Sequence, residues 1–451
     1  MIKRILLIAC LFAQQFAYAQ QKHAALPNYL ALDKAINSVS AVMIHDVVNP
    51  PAAARYYNYF MLGAYNLVAL HNKDMIPLKS FIKTYDQDNT LSVSPATYDY
   101  RIAAVYCILE TGKQMLPSGF MLQDDEDKYI ELLKKNKISD EVIKQSVAAA
   151  TEMSAKVINY SKGDNYNRLS GKLRYTPVKG GQNWYPTPPM YFEAVEPNWK
   201  TIRPMMIDSS KQFIPVRPTP FSTDTTSEFY KQAYQVYTTS KKPSDEQINI
   251  ASFWDCNPFA VTTSGHMMIG FKKISPGGHW MNIAALVVKK ANLGFDRSVQ
   301  VMALEGITLM DAFISCWDEK YRSNGIRPET YINRYIDVKW IPLLQTPPFP
   351  EYPSGHAVLS NASAVVLSYL LGDNFEYTDD TEIPYGVGPR SFKSFLQAAE
   401  EASVSRFYGG IHFKDAIENG NKQGRDVGAD IVKKLKAAKV QPIITGQTGI
   451  K

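Results

Sequence analysis

The sequence predicts an all-α protein, built as a helical bundle or paired bundles with long connections. Apolar residues recur at helical spacing through most of the 451 residues, and the alternating pattern of half-buried strands is nearly absent. One long segment, 163–224, is rich in proline and aromatic residues, as in TPPMYFEAVEPNW and FIPVRPTPF, which predicts an ordered loop. The length is sufficient for a large core and for more than one domain.

The first residues, MIKRILLIACLFAQQFAYAQQ, have the pattern of a secretory signal peptide. Lys3 and Arg4 form a basic start, an apolar run follows, and Ala17-Tyr18-Ala19 is a small-residue cleavage site. We therefore expect residues 1–19 to be removed near Ala19 and the protein to be exported, either to the periplasm or outside the cell.

We expect two further regions, 20–225 and 226–440, followed by a tail at 441–451. Helices of the first region are predicted at Leu26–His45, Ala52–Leu70, Ser94–Leu116, Asp125–Lys137 and Asp140–Tyr160. Helices of the second region are predicted at Ser227–Thr238, Ser244–Trp254, Trp280–Lys290, Arg297–Glu319, Ala357–Leu371, Pro389–Phe407 and Asp415–Ala438.

Charge and cysteine content exclude several classes of protein. The net charge of +6 is small for this length and the charges are interspersed, so nucleic acid is not an expected partner. No run of about 18 apolar residues follows the signal peptide, so we expect no membrane span. Cys107, Cys256 and Cys316 match neither a disulfide framework nor a zinc motif, and three buried thiols are expected.

Residues suited to binding an oxyanion gather in the second region, in three short segments. In the first, DEKYRSNGIRPE, Lys320 ends a helix and Arg327 follows a Ser-Asn-Gly break. Pro328 disfavours α geometry at Arg327, so both cations flank a turn and can face one space.

The second segment, YPSGHAVL, begins an apolar helix. Ser354 can cap that helix, but Gly355 and His356 are not needed for capping. Glycine lets a ligand approach the backbone, and the free N–H groups at a helix start favour an anion. In the third segment, SRFYGGIHFKD, Arg406 ends a helix and His412 precedes the next, which Asp415 could cap.

These side chains have ordinary explanations singly, because most Lys and Arg residues are solvated and Ser354 or Asp415 can serve as caps. Together they fit a multiply charged tetrahedral anion, since Arg offers a planar fork and Lys a mobile charge. One histidine can bond to the central atom of the anion while the other moves protons.

The three motifs K-x6-R-P (Lys320–Pro328), P-S-G-H (Pro353–His356) and S-R-x5-H (Ser405–His412) resemble those of the vanadium haloperoxidase and type 2 phosphatidic-acid-phosphatase superfamily. The resemblance extends to Gly277–Ala284 and faintly to Val47–Asn66, and is strongest to exported bacterial vanadium-dependent haloperoxidases, especially iodoperoxidases. It implies the helical-bundle fold of that superfamily.

The resemblance also implies residue roles and one vanadate per chain. His412 would be the axial ligand of vanadium, and His356 would take a proton from hydrogen peroxide. Trp317 and Phe349 match positions on the halide side of haloperoxidase sites. The vanadate oxygens would be bound by Lys320, Arg327, Ser354, the Gly355 N–H and Arg406, and Lys320 would also polarise the peroxide.

Two functions remain open on the motifs alone, because vanadate and phosphate are both tetrahedral oxyanions. In a peroxidase the substrates are hydrogen peroxide and a halide, with iodide favoured, bromide possible and an organic acceptor left open. In a soluble periplasmic acid phosphatase His412 would be the nucleophile and His356 would protonate the leaving alkoxide. Three features favour the peroxidase: we expect no membrane span, the chain is long, and Trp317 and Phe349 are bulky. A non-enzymatic anion-binding protein with a relic site is the third alternative.

Three residues have uncertain roles. The superfamily usually has an acid four residues after the last motif histidine, where this chain has Ala416, and Asp415 one residue earlier could be a cap or a second-shell partner. His266 and His279 are candidates for a substrate channel, although helix-end or core positions explain them better.

Overall fold

The computed structural model describes residues 26–444 and confirms the all-α prediction. The predicted signal peptide and most of the predicted tail lie outside the described residues. The α-helices are α1 Leu32–His45, α2 Pro50–His71, α3 Tyr100–Met115, α4 Gln123–Lys135, α5 Asp140–Ser161, α6 Glu228–Lys241, α7 Asp245–Phe253, α8 Pro276–Lys290, α9 Phe295–Ser323, α10 Pro328–Tyr335, α11 Gly355–Leu371, α12 Phe395–Tyr408 and α13 Lys414–Ala437.

The structure corrects the predicted elements at three places. Helix α10 was not predicted, because its eight residues are too few to show a clear period; proline at its first position presets the helical φ. Two short hairpins pair β1 Val261–Ser264 with β2 Met267–Gly270, and β3 Tyr377–Asp379 with β4 Arg390–Phe392. The second hairpin takes up the start of the helix predicted from Pro389, so α12 begins only at Phe395.

Helix α9 is the central element of the core. It packs against both α2 and α11, and one hydrophobic cluster joins helices of the two predicted regions. Contrary to the expectation from sequence, α9 is long and apolar enough to cross a membrane, but its whole apolar window is buried within the protein. The division at 225/226 stays a prediction.

Glycines let α13 lie close against the first half of α11. A Cβ at Gly420 would lie 2.9 Å from the Ala357 Cβ, and one at Gly428 would lie 2.9 Å from the Ala362 carbonyl oxygen. At Gly424 a Cβ would collide with the Val358 carbonyl. This row of glycines sets the contact between the helix that follows the third motif and the helix that begins at the second.

The long segment 163–224 is ordered, as predicted, with only short 3₁₀ turns. Its backbone bonds to the motif segments: the Trp184 N–H donates to the Asn324 carbonyl at 2.9 Å, and the Val195 N–H to the Pro348 carbonyl at 3.0 Å. The loop therefore braces the turn after α9 and the stretch before α11, where the candidate residues lie.

Candidate active site

The second and third motifs line a cavity of about 30 Å³ beside the N-terminus of α11, and Arg327 of the first motif bonds to two of its lining residues, Ile411 and His412. Its walls come from segments that are far apart in sequence, including the end of α9, the start of α11 and the turn between α12 and α13. The lining residues are Pro50, Cys256, Asn257, Pro258, Pro276, Phe313, Trp317, Pro347, Phe349, Gly355, His356, Arg406, Ile411 and His412.

Two buried arginines have free donors, Arg406 in the cavity lining and Arg327 beside it. Arg327 has extended backbone before Pro328, as predicted; its Nε donates to the Phe349 carbonyl at 3.0 Å and its Nη1 to the Ile411 carbonyl at 2.8 Å. Arg406 Nη1 donates to the Trp254 carbonyl at 2.7 Å. Arg327 Nη2 and Arg406 Nε are buried without a hydrogen-bond partner in the described part of the chain. Buried guanidinium donors of this kind call for an anionic acceptor.

His412 is held so that one ring nitrogen carries a lone pair. Its Nδ1 lies 2.8 Å from Glu351 Oε1 and its Nε2 lies 3.1 Å from Arg327 Nη1. Because a guanidinium only donates, these partners assign the proton to Nδ1 and a lone pair to Nε2. Burial, and then the charges of Arg327, Lys320 and Arg406, hold the pKa of His412 well below 6.5, so the ring is neutral.

His356 lies in the first turn of α11, partly buried, with Nε2 free of any hydrogen bond to the described residues. Burial and the charge of Arg406 lower its pKa well below 6.5, although a backbone hydrogen bond with Trp254 opposes the shift. A neutral imidazole with a free nitrogen can accept a proton from a bound acid.

Lys320 is placed differently from the two arginines. Its Nζ donates to the carbonyls of Pro350, Glu351 and Pro353, all within 3.1 Å, so its donors are already used; like Arg327, it is not a lining residue of the cavity. Burial lowers its pKa to about 7. The ammonium group therefore fixes the loop before α11 and adds positive charge from behind it.

The start of α11 provides backbone donors. Ser354 is the N-cap, and its Oγ accepts from the Ala357 N–H at 3.5 Å. Gly355 lines the cavity, and a Cβ there would meet only Trp317 and Lys320 side chains at 3.6 and 3.9 Å. Packing with the protein does not demand glycine at this position, but a Cβ would occupy space beside the free N–H groups of the helix.

Trp317 and Phe349 form the aromatic wall, with ring centroids 5.0 Å apart. Trp317 is fixed by its indole N–H, which donates to the Val195 carbonyl at 3.2 Å. The Lys320 Nζ and the Arg327 guanidinium each lie 5.1 Å from the centre of the Phe349 ring. The predicted halide-side residues thus lie in the same cavity as both histidines.

Asp415 is not the cap of α13. The N-cap position is Phe413, no side chain caps this helix, and Asp415 Oδ2 accepts the Thr219 N–H at 2.9 Å. The acid that holds His412 is Glu351, which sequence reasoning missed; its Oε1 also accepts the Phe413 N–H at 3.0 Å. An acid inside the PEYPSGH segment was the available signal.

The other uncertain histidines lie outside the cavity lining. His266 lies exposed in the turn between β1 and β2. His279 is fully buried in α8, where its Nε2 lies 2.8 Å from Asp379 Oδ2, which confirms the core position. The three cysteines are free and buried, as expected.

Taken together, the fold and the cavity define a helical enzyme with an oxyanion site at a helix N-terminus. The family model of the VCPO second helical-bundle domain matches residues 336–439, which include both histidines and Arg406. A comparison with curated proteins found no match.

Solved structures add a relative with high similarity. A structure described as the first bacterial vanadium-dependent iodoperoxidase is 41% identical, covers 91% of this chain and 98% of its own, and superimposes with a TM-score of 0.83. A holo-type bacterial vanadium-dependent chloroperoxidase is 14% identical over 87% of this chain and 93% of its own, with a TM-score of 0.62, which shows the shared fold. The chain belongs to the vanadium-dependent haloperoxidase family, whose members oxidise halides with peroxide using a vanadate cofactor.

Proposed function

We propose that this protein is an exported haloperoxidase that oxidises iodide, and less readily bromide, with hydrogen peroxide at a vanadate ligated by His412. The observation that carries the proposal is the neutral His412 Nε2 in the same site as two buried arginines with unpartnered donors. This donor set fits a tetrahedral oxyanion and gives no acidic ligands for a simple metal cation.

The residues that would hold vanadate are His412 through Nε2, Arg327, Arg406 and the backbone N–H of Gly355. Ser354 is the further predicted donor, since its hydroxyl hydrogen is not needed for capping. When bound, vanadate supplies a Lewis acid that activates hydrogen peroxide towards attack by halide. Glu351 would keep the proton on His412 Nδ1 and the lone pair on Nε2, and Arg327 Nη1 would have to release that lone pair for it to bind vanadate.

His356 is the general acid–base group: its free Nε2 can accept a proton from hydrogen peroxide and return it later. Lys320 is the predicted donor to the peroxide, and it would exchange one of its three carbonyl contacts to reach it. Trp317 and Phe349 would exclude water from the halide side, which strengthens the electrostatic interactions of the site.

Iodide is favoured for two reasons. It is the most easily oxidised of the three halides, and the 41% identical relative is described as an iodoperoxidase. Export is supported by the signal-peptide pattern before Ala19, which lies outside the described residues.

The test uses the purified chain loaded with orthovanadate and assays peroxide-dependent oxidation of iodide and bromide, beside hydrolysis of a chromogenic phosphate ester by the unloaded protein. We expect vanadate-dependent halide oxidation, faster with iodide, that is lost in His412→Ala and kept in the control His45→Ala, an exposed histidine. Ester hydrolysis inhibited by vanadate, without halide oxidation, would overturn the proposal and make His412 a nucleophile.

Export has a separate test. The full chain, expressed in a bacterial host, is expected in the periplasm or medium with a mature N-terminus just after Ala19, read by N-terminal sequencing. Accumulation of the uncleaved chain in the cytoplasm would contradict export without affecting the assignment of the active site.

A further inference from the structure

A second cluster of ligand-type side chains lies behind one wall of the cavity. Cys256 Sγ, His279 and a carboxylate oxygen of Glu382 lie within 4.8 Å of one another, and all three residues are at least nine-tenths buried. They come from three distant segments: the turn after α7, the first turn of α8 and the loop after β3.

Two of the three ligand–ligand distances in the cluster fit a tetrahedral zinc site. Cys256 Sγ lies 3.4 Å from His279 Nδ1, which in turn lies 3.6 Å from Glu382 Oε1. Zinc bonds of about 2.3 Å to sulfur and about 2.0–2.2 Å to nitrogen and oxygen place neighbouring ligand atoms about 3.4–3.6 Å apart at tetrahedral angles. Three protein ligands leave one position for a solvent molecule.

Two further observations point to a ligand. Glu382 Oε1 is buried, faces His279 Nδ1, and has no hydrogen-bond partner among the described residues. His279 Nε2 is bonded to Asp379 Oδ2 at 2.8 Å, which is the carboxylate–histidine pairing that orients metal-bound imidazoles. A simple ion pair between His279 and two carboxylates would leave Glu382 Oε1 unsatisfied, whereas a metal would satisfy it.

We propose that Cys256, His279 and Glu382 bind a zinc ion, with Asp379 as the residue that orients His279. The mixed sulfur, nitrogen and oxygen set suits zinc better than calcium or magnesium, which take oxygen ligands. The proposal reverses the sequence-based expectation that the cysteines form no zinc site. The sequence contains no signal for it, because ligands so far apart in the chain leave no spacing pattern.

The zinc site is expected to stabilise the part of the active-site wall formed by the segment from Trp254 to Cys256. Cys256 lines the cavity, and two residues earlier the Trp254 carbonyl accepts the bond from Arg406 Nη1 at 2.7 Å. Ligation of Cys256 would therefore fix the backbone that positions Arg406. The proposal does not depend on which oxyanion or halide the active site uses.

The test loads the metal-stripped full chain with zinc, removes excess metal on a desalting column, and measures bound zinc by mass spectrometry. Cobalt(II) loaded in the same way reports thiolate ligation through a charge-transfer band in the near ultraviolet. The variants are Cys256→Ser, His279→Gln and Asp379→Asn, and the control is Cys107→Ser, a buried thiol in α3 bonded to Thr111.

We expect close to one zinc per chain and the cobalt–thiolate band in the wild type and in Cys107→Ser. Both signals should be lost in Cys256→Ser and His279→Gln, and zinc affinity should fall about 10–100-fold in Asp379→Asn. A wild-type protein that retains no zinc or gives no thiolate band overturns the proposal, even if the variants do not fold. Equal zinc retention by folded Cys256→Ser and wild type would overturn it as well.

Discussion

Replacing Arg406 by lysine tests the oxyanion site most directly. The arginine uses Nη1 on the Trp254 carbonyl and keeps Nε free, whereas a lysine has one nitrogen and cannot occupy both positions. The variant therefore loses at least one hydrogen bond to a charged group, worth about 1.5–3 kcal/mol. That loss corresponds to an increase of about 10–150-fold in the vanadate dissociation constant.

Equilibrium dialysis with orthovanadate measures the constant, and circular dichroism checks that the variant is folded. The matched control is Arg390→Lys, since Arg390 is a partly buried arginine paired with Glu401 and Glu246 rather than with the cavity. The reasoning is refuted if folded Arg406→Lys binds vanadate within about threefold of wild type, or if the Arg390 control weakens binding as much.

Further variants probe the neighbours of this arginine and the packing beneath them. Glu351→Ala removes the acceptor of two buried N–H groups and should weaken vanadate binding about 10–100-fold, as measured by equilibrium dialysis. The control is Glu319→Gln, which should leave vanadate binding unchanged because Glu319 is a buried acid paired with an arginine of its own helix. His356→Gln should reduce turnover about 10²–10⁴-fold while vanadate affinity changes little. Because the pKa of His356 is lowered well below 6.5 and the neutral ring is the base, the acid-side fall of wild-type kcat/KM should begin only well below pH 6.5. Loss of the proton from Lys320, whose pKa is about 7, should set a separate fall at higher pH, and a pH–rate profile measures both. Gly424→Ala should destabilise the fold by about 1–3 kcal/mol, seen as a lower Tm in calorimetry, whereas Gly388→Ala, at an open position, should not.

Long helices were predictable because their apolar period repeats over several turns. The helix expected at Asp415–Ala438 is observed at Lys414–Ala437, and the one expected at Ala357–Leu371 begins two residues earlier. Elements of three to eight residues were not predictable in the same way. The hairpin strands β3 and β4 and the short α10 contain too few residues to show a period, and tertiary contacts decide their conformation.

The site was predictable where consecutive residues carry the chemistry. Chain-breaking residues around Lys320 and Arg327, the helix start at Gly355, and the arginine and histidine of the third motif all show in the local sequence. Glu351 could have been suspected, but nothing local shows that it bonds to His412 across 61 positions. The Trp254 carbonyl gives no sequence signal at all, because any residue has one.

The positive charge of the site favours an anionic ligand, and its aromatic wall bears on whether the reaction is halide oxidation or ester hydrolysis. Burial lowers the pKa of Arg327 to about 10, and Arg406 adds to the shift because it is a nearby cation. An oxyanion bound by both arginines would offset this repulsion. A phosphate ester would meet the same donors, but its alcohol half would need space. Trp317 and Phe349 place aromatic bulk at the cavity where that half would have to fit, which favours small partners such as peroxide and a halide over an ester. The cationic donors therefore favour an oxyanion, while the aromatic wall favours oxidation of a halide over hydrolysis.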